Sequence, residues 1–565
     1  MKHLLQHFKT LTKHPKNAEE LKGLILQLAI QGKLTENWRQ ENPNVEPASK
    51  LLEQIKEEKK SLIAQKKIRL EKPKKEFMKE SFDFEIPKNW EARNITEFYS
   101  TIGSKVNQVK SKDYLESGEY PVVSQGKKLI EGYYNDKSKL LKLAKPVIVF
   151  GDHTKIVKYI DFDFIIGADG TKILETFKGI NTSYFYLHCC FYDLSDKGYA
   201  RHYSLLKQQA FCLPPLEEQK AIVDIVNELF KEVEQLEEQT KISIQLKEDF
   251  VTSALKGLSQ TENVNQEWQF LQTHFTEFFT EKSTIKQLRE TILQLAVQGK
   301  LTQKWRSRHP ELVEGSHHAN ELLKRIQTEK KQLIAQKKLK KEKPLPPIED
   351  HEKPYDLPEG WVWCRMSEIT ESMTNGLYKP AKFYTDNGII SLRMYNIQSG
   401  DIIFDNAKRV EVDEGELNRY CLLENDLLIN RVNSYELIGK TAIIPFFGEP
   451  LVYESMNIRT RLILKDKLAV FINLVFQSRF AREYLMSKAK QAIGQASINQ
   501  TNISTFAIPL PPLEEQKAIV KQVNSLMALC DSLEEHVDNS QTQIEQLMQS
   551  CLREVFEDRK EVAYE

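Results

Sequence analysis

The chain carries a long internal duplication. LPPLEEQKAIV stands at 213–223 and again at 510–520. ILQLAIQGKLTENWR at 25–39 returns as ILQLAVQGKLTQKWR at 292–306, and SLIAQKK at 61–67 returns as QLIAQKK at 332–338. A proline shortly before a tryptophan repeats as well, Pro87/Trp90 and Pro358/Trp361. The order is A–x–B–A′–y–B′. A and B recur almost verbatim, while x and y share no obvious identity. One scaffold is used twice to present two different surfaces, which asks for a target with two unlike halves.

Length and composition set the class. With 565 residues there is room for three or four domains. A 40% hydrophobic content with little Gly and Pro describes a folded chain. No apolar run reaches membrane-span length, and the first sixteen residues lack the apolar stretch of a signal peptide. The seven cysteines are scattered, with no C-x-x-C pair, which fits reduced thiols in a cytoplasmic protein and argues against a zinc site. Net charge is zero, but 50–79 and 324–343 are basic and 217–281 is acidic, so nucleic-acid contact is allowed only as local patches.

B and B′ follow a heptad. In B′ the seam runs Ile519, Val523, Leu526, Cys530, Leu533, Val537, Ser540, Ile544, Leu547, Cys551. In B it runs Ile222, Val226, Leu229, Val233, Leu236, Thr240, then degrades through Ser243, Lys247, Phe250 and Ala254. This is the a/d stripe of a coiled coil; it would suit a homodimer zipper, but near-copies in one chain pair more simply with each other, antiparallel. Pro-Pro-Leu-Glu-Glu suits a helix start, because proline is tolerated in the first turn and acids favour the positive end. In A and A′ an apolar helix stops at Gly-Lys-Leu-Thr. A second helix, expected at 49–69 and 319–341, leads into a lysine-rich stretch with proline, a solvated face or a phosphate contact.

Segments x (86–212) and y (357–509) read as mainly β. Strands are expected at 120–123, 146–150, 156–160 and 164–166, and at 389–394, 427–429, 441–444 and 459–464, with a helix near 470–490. Their loops carry Gln125, Lys127, Lys128, His153, Lys155, Lys172, Arg201 and His202 in x. In y they carry Arg393, Asn396, Arg431, Asn433, Tyr435, Asn457, Gln495 and Asn499. Arg, Lys, Asn and Gln can read base edges in the major groove, so these sixteen residues are the candidate DNA contacts, although polar loops are also ordinary turns. Catalysis has no comparable signature. Asp152-His153 lacks a nucleophile, His317-His318 lacks spaced metal ligands, and neither a G-x-x-x-x-G-K phosphate loop nor an Asn-Pro-Pro-aromatic methyltransferase tetrapeptide occurs.

The duplicated Leu-Pro-Pro-Leu-Glu-Glu-Gln helix entries, each following a variable β-rich unit, resemble the specificity (S) subunits of type I restriction–modification enzymes. Gly151-Asp152-His153-Thr154, Gly167-Ala168-Asp169-Gly170 and Gly439-Lys440 look like motifs of that family's target-recognition domains. The first unit departs by having Cys212 before Leu213-Pro214-Pro215, where the second has the longer Ile508-Pro509-Leu510-Pro511-Pro512. The resemblance implies an α+β chain: two recognition domains separated by long antiparallel coiled-coil helices in a pseudo-twofold internal repeat. The corresponding segments are 1–85, 86–212, 213–356, 357–509 and 510–565. It implies a non-catalytic, cytoplasmic reader of a bipartite, asymmetric double-stranded DNA site, with no cofactor or metal of its own. Two methyltransferase (M) subunits would bring S-adenosylmethionine for adenine methylation, and motor-nuclease (R) subunits would bring ATP and Mg for restriction. The main rival reading is an interaction scaffold whose x and y bind proteins, and a second is an enzyme whose active site lies in x or y.

Overall fold

The computed structural model describes residues 17–68, 84–167, 170–192, 194, 201–261, 264–312, 318–341 and 345–557. The chain forms two compact units, one of residues 1–243 with 544–565 and one of residues 244–543. Both boundaries fall inside helices of 45 residues, Leu216–Gln260 and Leu513–Glu557. Each long helix therefore begins in one unit and ends in the other. The five-segment division that the resemblance implies follows the sequence repeats, whereas the compact units follow packing.

Repeated sequence has become repeated contact. In the first unit the buried Glu218 carboxylate accepts from Thr35 Oγ1 at 2.8 Å, Arg39 Nη1 at 2.7 Å and Trp90 Nε1 at 2.8 Å. In the second unit Glu515 accepts from Thr302 Oγ1 at 2.6 Å, Arg306 Nη1 at 2.5 Å and Trp361 Nε1 at 2.8 Å. Both carboxylates sit in the first turn of a long helix, where the unpaired N–H groups favour negative charge. The apolar helices Asn17–Ile30 and Lys282–Val297 stop at Gly32 (φ 73°) and Gly299 (φ 70°). A Cβ on Gly32 would lie 2.8 Å from Pro87 and 3.1 Å from Trp90, and one on Gly299 2.6 Å from Pro358 and 2.9 Å from Trp361. Glycine thus serves both as the left-handed stop and as the surface on which the Pro/Trp pair rests. Outside this knot, Lys22–Glu234 (2.9 Å) and Arg289–Asp531 (2.6 Å) tie the apolar helix to the long one in each unit.

The heptad positions are buried along only part of each long helix. Ile222, Val226 and Val233 are buried, and so are Ile519, Val523, Leu526, Cys530, Leu533 and Val537. From 241 to 250 the first long helix is exposed or half-buried, with Ser243 and Phe250 at the surface. Burial resumes at Val251, Leu255 and Leu258, one residue off the expected seam. In the second long helix Ser540 is likewise exposed, and the buried position is Met548 beside a partly buried Leu547. The registry shifts because the second half of each helix packs in a different unit from the first half: Val251, Leu255 and Leu258 share a core with Leu271, Phe275 and Phe279, and Met548 shares one with Val226 and Val233.

The second helix of each repeat is shorter than expected, Ala48–Ala64 and Ala319–Ala335. Both end on a lysine in the left-handed region, Lys66 (φ 56°) and Lys337 (φ 58°). Lys59 and Lys330 donate to the carbonyls of Thr96 (3.0 Å) and Ser367 (2.7 Å), so one lysine in each basic run fastens the helix to the β-rich part. The lysine stretches at 71–75 and 342–344 lie outside the described residues.

Segments x and y fold alike despite their unlike sequences. In x a four-stranded sheet runs Tyr99–Ile102, Thr171–Thr176, Val147–Gly151, Val157–Ile160. In y the matching sheet runs Thr370–Asn375, Asn457–Leu462, Leu427–Asn430, Thr441–Ile443. Beside each lies a three-stranded sheet with one parallel pair, Val122 facing Ile165 in x and Ile390 facing Leu451 in y. Each segment is closed at its base by an antiparallel pair in the same register, Glu91 opposite Leu213 and Val362 opposite Leu510. The helix expected near 470–490 is two, Lys465–Gln477 and Arg479–Lys488, broken at Ser478, whose Oγ caps the second. None of the described helices is long and apolar enough to cross a membrane.

The first core contains an ionisable group that gives it a pH dependence. His188 is fully buried, its ring 4.5 Å from that of Phe211, and its Nε2 accepts the Cys212 N–H at 3.1 Å. Burial pushes its pKa from 6.5 down to about 3. The unfolded chain therefore binds the extra proton between these values, and stability falls as pH drops below about 6.5. Going from pH 7 to pH 5 is expected to cost about 2 kcal/mol from this residue alone. Urea unfolding of the wild type and of His188→Gln at both pH values checks it, the variant lacking that part of the pH dependence.

Candidate nucleic-acid interface

In x the expected contact loops converge because a few buried polar groups hold them. Asp152, between a strand end and a turn, accepts on Oδ1 from Tyr203 N (2.8 Å), its backbone N–H donates to Gly170 O (2.7 Å), and its carbonyl accepts from His202 N (2.7 Å). Gln125 Oε1 accepts from His153 N at 3.0 Å, and its carbonyl accepts from Thr154 Oγ1 at 2.6 Å. Gly170 (φ 90°) leaves no room for a side chain, since a Cβ would lie 2.6 Å from His153 and 2.9 Å from Gln125. The loops bearing Gln125 to Lys128, His153 to Lys155, Lys172 and Arg201 thereby form one face. Lys127, Lys128 and Arg201 are exposed on it, with Gln125, His153, Lys155 and Lys172 partly so. Lys155 Nζ is turned to Leu194 O (2.9 Å), and Lys172 stands 5.6 Å from the Tyr203 ring centre. Beneath them Lys158 is buried near Glu131 (3.9 Å), and burial lowers its pKa.

In y the equivalent face is built on asparagines. Asn430 Nδ2 donates to Met456 O and Asn457 Oδ1, both at 3.1 Å, and its Oδ1 accepts from Asn433 Nδ2 at 2.9 Å. Arg431 Nη1 donates to Ser455 O (3.2 Å), while Ile498 N donates to Arg431 O (2.9 Å). Arg393 lies 4.7 Å from the Tyr384 ring centre and 3.4 Å from the Glu454 carboxylate. Burial raises the pKa of Glu454, and the Arg393 charge opposes that rise. Gly376 brings the end of strand Thr370–Asn375 against the Glu454 backbone, where a Cβ would lie 2.2 Å from its carbonyl oxygen. Gln495 and Asn499 are exposed; Arg393, Arg431, Asn433 and Tyr435 are half-buried.

Three of the expected contact residues do not face outward. His202 is 1% exposed, and Asn396 and Asn457 are fully enclosed. His202 Nδ1 sits 3.1 Å from Asp152 O; Asn396 Nδ2 donates to Ile403 O (2.7 Å) and Asn457 Nδ2 to Leu392 O (3.4 Å). They are polar because irregular loops must satisfy buried backbone groups with side chains. Conversely Tyr378, 79% exposed two residues after Gly376, and Ile493, fully exposed, lie on y and were not expected from the sequence. Gly376, where the backbone passes close to Glu454, is the one sequence signal near Tyr378. Among the described residues no cluster of three His, Cys, Asp or Glu is arranged to hold a metal.

The geometry thus presents two polar, glycine-shaped loop faces on one duplicated frame. The type I restriction modification DNA specificity domain family matches residues 87–246 and 358–545, more than half of the chain. The EcoEI specificity subunit of Escherichia coli is 28% identical over 93% of this chain and 91% of its own length. The EcoAI specificity subunit of the same species is 29% identical over 91% and 90%. The solved HsdS subunit from Thermoanaerobacter tengcongensis is similar at a TM-score of 0.40 and 14% identity, over 85% of this chain and all of that one.

Proposed function

Since this chain belongs to the type I restriction–modification DNA specificity family, we propose that it reads a bipartite, asymmetric DNA site, one half with x and the other with y. The observation that carries this reading is the contrast between frame and face. Glu218 and Glu515 hold the same three partners in the two units, while the loop faces have different residues on the same sheet topology. Identical frames with unlike faces suit a target whose halves differ. Gln125, Lys127, Lys128 and Arg201 supply donors for one half-site, and Arg393, Arg431, Gln495 and Asn499 for the other.

The chain itself is a non-catalytic reader in this proposal. It docks two methyltransferase subunits that carry S-adenosylmethionine, and nuclease subunits that use ATP and Mg. The two long helices pair antiparallel as a pseudo-twofold spacer that fixes the distance between the half-sites, a reading supported by their near-identical entries at 213–223 and 510–520.

Domain exchange tests the reading. Replacing residues 358–509 with the corresponding segment of a relative is expected to change one half of the methylated motif and leave the other half and the spacer intact. Methylome sequencing of cells carrying the variant with its methyltransferase subunits reads the result. A change in both halves by an active variant would overturn independent reading.

A further inference from the structure

The second unit carries a small ribbon that the first lacks among its described residues. Lys490–Ala492 pairs with Gln495–Ser497, and the pairing ends at Ala492 opposite Gln495. Ile493 and Gly494 make the two-residue connection, with Gly494 at φ 73° taking the left-handed position that a side chain disfavours. The ribbon is anchored to the candidate interface. Val432 and Asn433, immediately after Arg431, pair with Ser497 and Ala496, and Ala496 and Ile498 are buried where the ribbon joins the domain. The tip is not part of any core: Ile493 is 106% exposed, the most exposed large apolar residue described. Gln491 and Gln495 flank it in the open. No acidic residue occurs between Glu483 and Glu514, while Lys488, just before the ribbon, and Lys490, at its start, are exposed, so the local charge is positive.

An aliphatic side chain held wholly in water at the end of a basic, glutamine-bearing ribbon has no folding role to explain it. A two-stranded ribbon fits the major groove, glutamine pairs with adenine N6 and N7, and an apolar side chain recognises the thymine methyl group. We propose that this hairpin enters the major groove of the half-site read by y, that Ile493 packs on a thymine C5 methyl, and that Gln495 or Gln491 reads an adenine beside it. The half-site read by y therefore contains at least one A·T pair that depends on Ile493. This assignment rests on the DNA-reading function proposed above.

The test uses the full chain with its methyltransferase subunits on a duplex carrying the motif mapped by methylome sequencing. Each thymine of the y half-site is replaced in turn by uracil, which removes only the methyl group and alters only the major groove. The wild type is expected to lose about fourfold in affinity at one position, the equivalent of ~0.8 kcal/mol for one buried methyl. Ile493→Ala is expected to bind the thymine duplex about fourfold more weakly and to be indifferent to uracil at that position. Uracil sensitivity that persists in Ile493→Ala, or is absent from the wild type, would overturn the assignment, as would a y half-site without any A·T pair. A wild-type complex with no sequence selectivity at all would instead remove the DNA-reading function itself.

Discussion

Arg306→Ala is expected to destabilise the second unit by about 3–5 kcal/mol, and Arg39→Ala the first by a similar amount, the usual cost of leaving a buried charge without its partner. Glu515 and Glu218 are wholly enclosed, whereas Arg306 and Arg39 remain 16% and 20% exposed. Removing the arginine thus strands a carboxylate that still has a threonine and a tryptophan donor but no counter-charge. Removing the charge as well should recover much of the loss, so Arg306→Ala with Glu515→Gln is expected to be more stable than Arg306→Ala alone. Urea unfolding of the singles and the double measures it. Equal loss in the single and the double would show that the arginine acts through packing and not through its charge.

The largest functional effect is expected from lengthening the long helices. A heptad keeps the a/d seam in phase, so insertions should come in sevens and in both helices. The places that tolerate them are after Ser243 and after Gln543, where the chain passes between units and the side chains are mostly exposed. An insertion at 253–257 would instead split the buried Val251, Leu255 and Leu258. One heptad adds about 10 Å, roughly three base pairs, and would demand a half-site turned by about 100° around the duplex. Methylation is expected to be lost. Three heptads add about 31 Å, close to one turn of DNA, and should restore methylation at a site whose spacer is about ten base pairs longer. Methylome sequencing of both variants decides it. Activity on an unchanged spacer would show that the helices tether the two readers without measuring the gap.

The frame was legible in the sequence because duplication marks it twice. Gly32, Trp90 and Glu218 each have a counterpart, and a residue repeated at matching places in unlike surroundings is held there by contacts. The central strands were legible for a different reason. Val147–Gly151 and Leu427–Asn430 are buried on both faces and read as unbroken apolar runs. The closing strands Glu91–Asn94 and Val362–Arg365 were not read, since each is four residues long and its partner lies more than a hundred residues away. The loop faces were found but not sorted. Asn457 and Asn499 look alike in sequence, yet one fills a backbone network and the other caps a helix in the open. Ile493 escaped notice because an isolated isoleucine reads as core until its exposure is known.

Because each long helix starts in one unit and ends in the other, the order of synthesis matters. A ribosome delivers residue 243 about 300 residues before residue 544, a delay of roughly 15–60 s at ordinary elongation rates. Through that interval Ile222, Val226 and Val233 have emerged without Met548, which shares their core. Until the last turns of the second long helix arrive, the first unit lacks Met548 and Leu547, which pack on that core. A chain cut short before residue 544 would lack those side chains, and this core would stay incomplete at that edge.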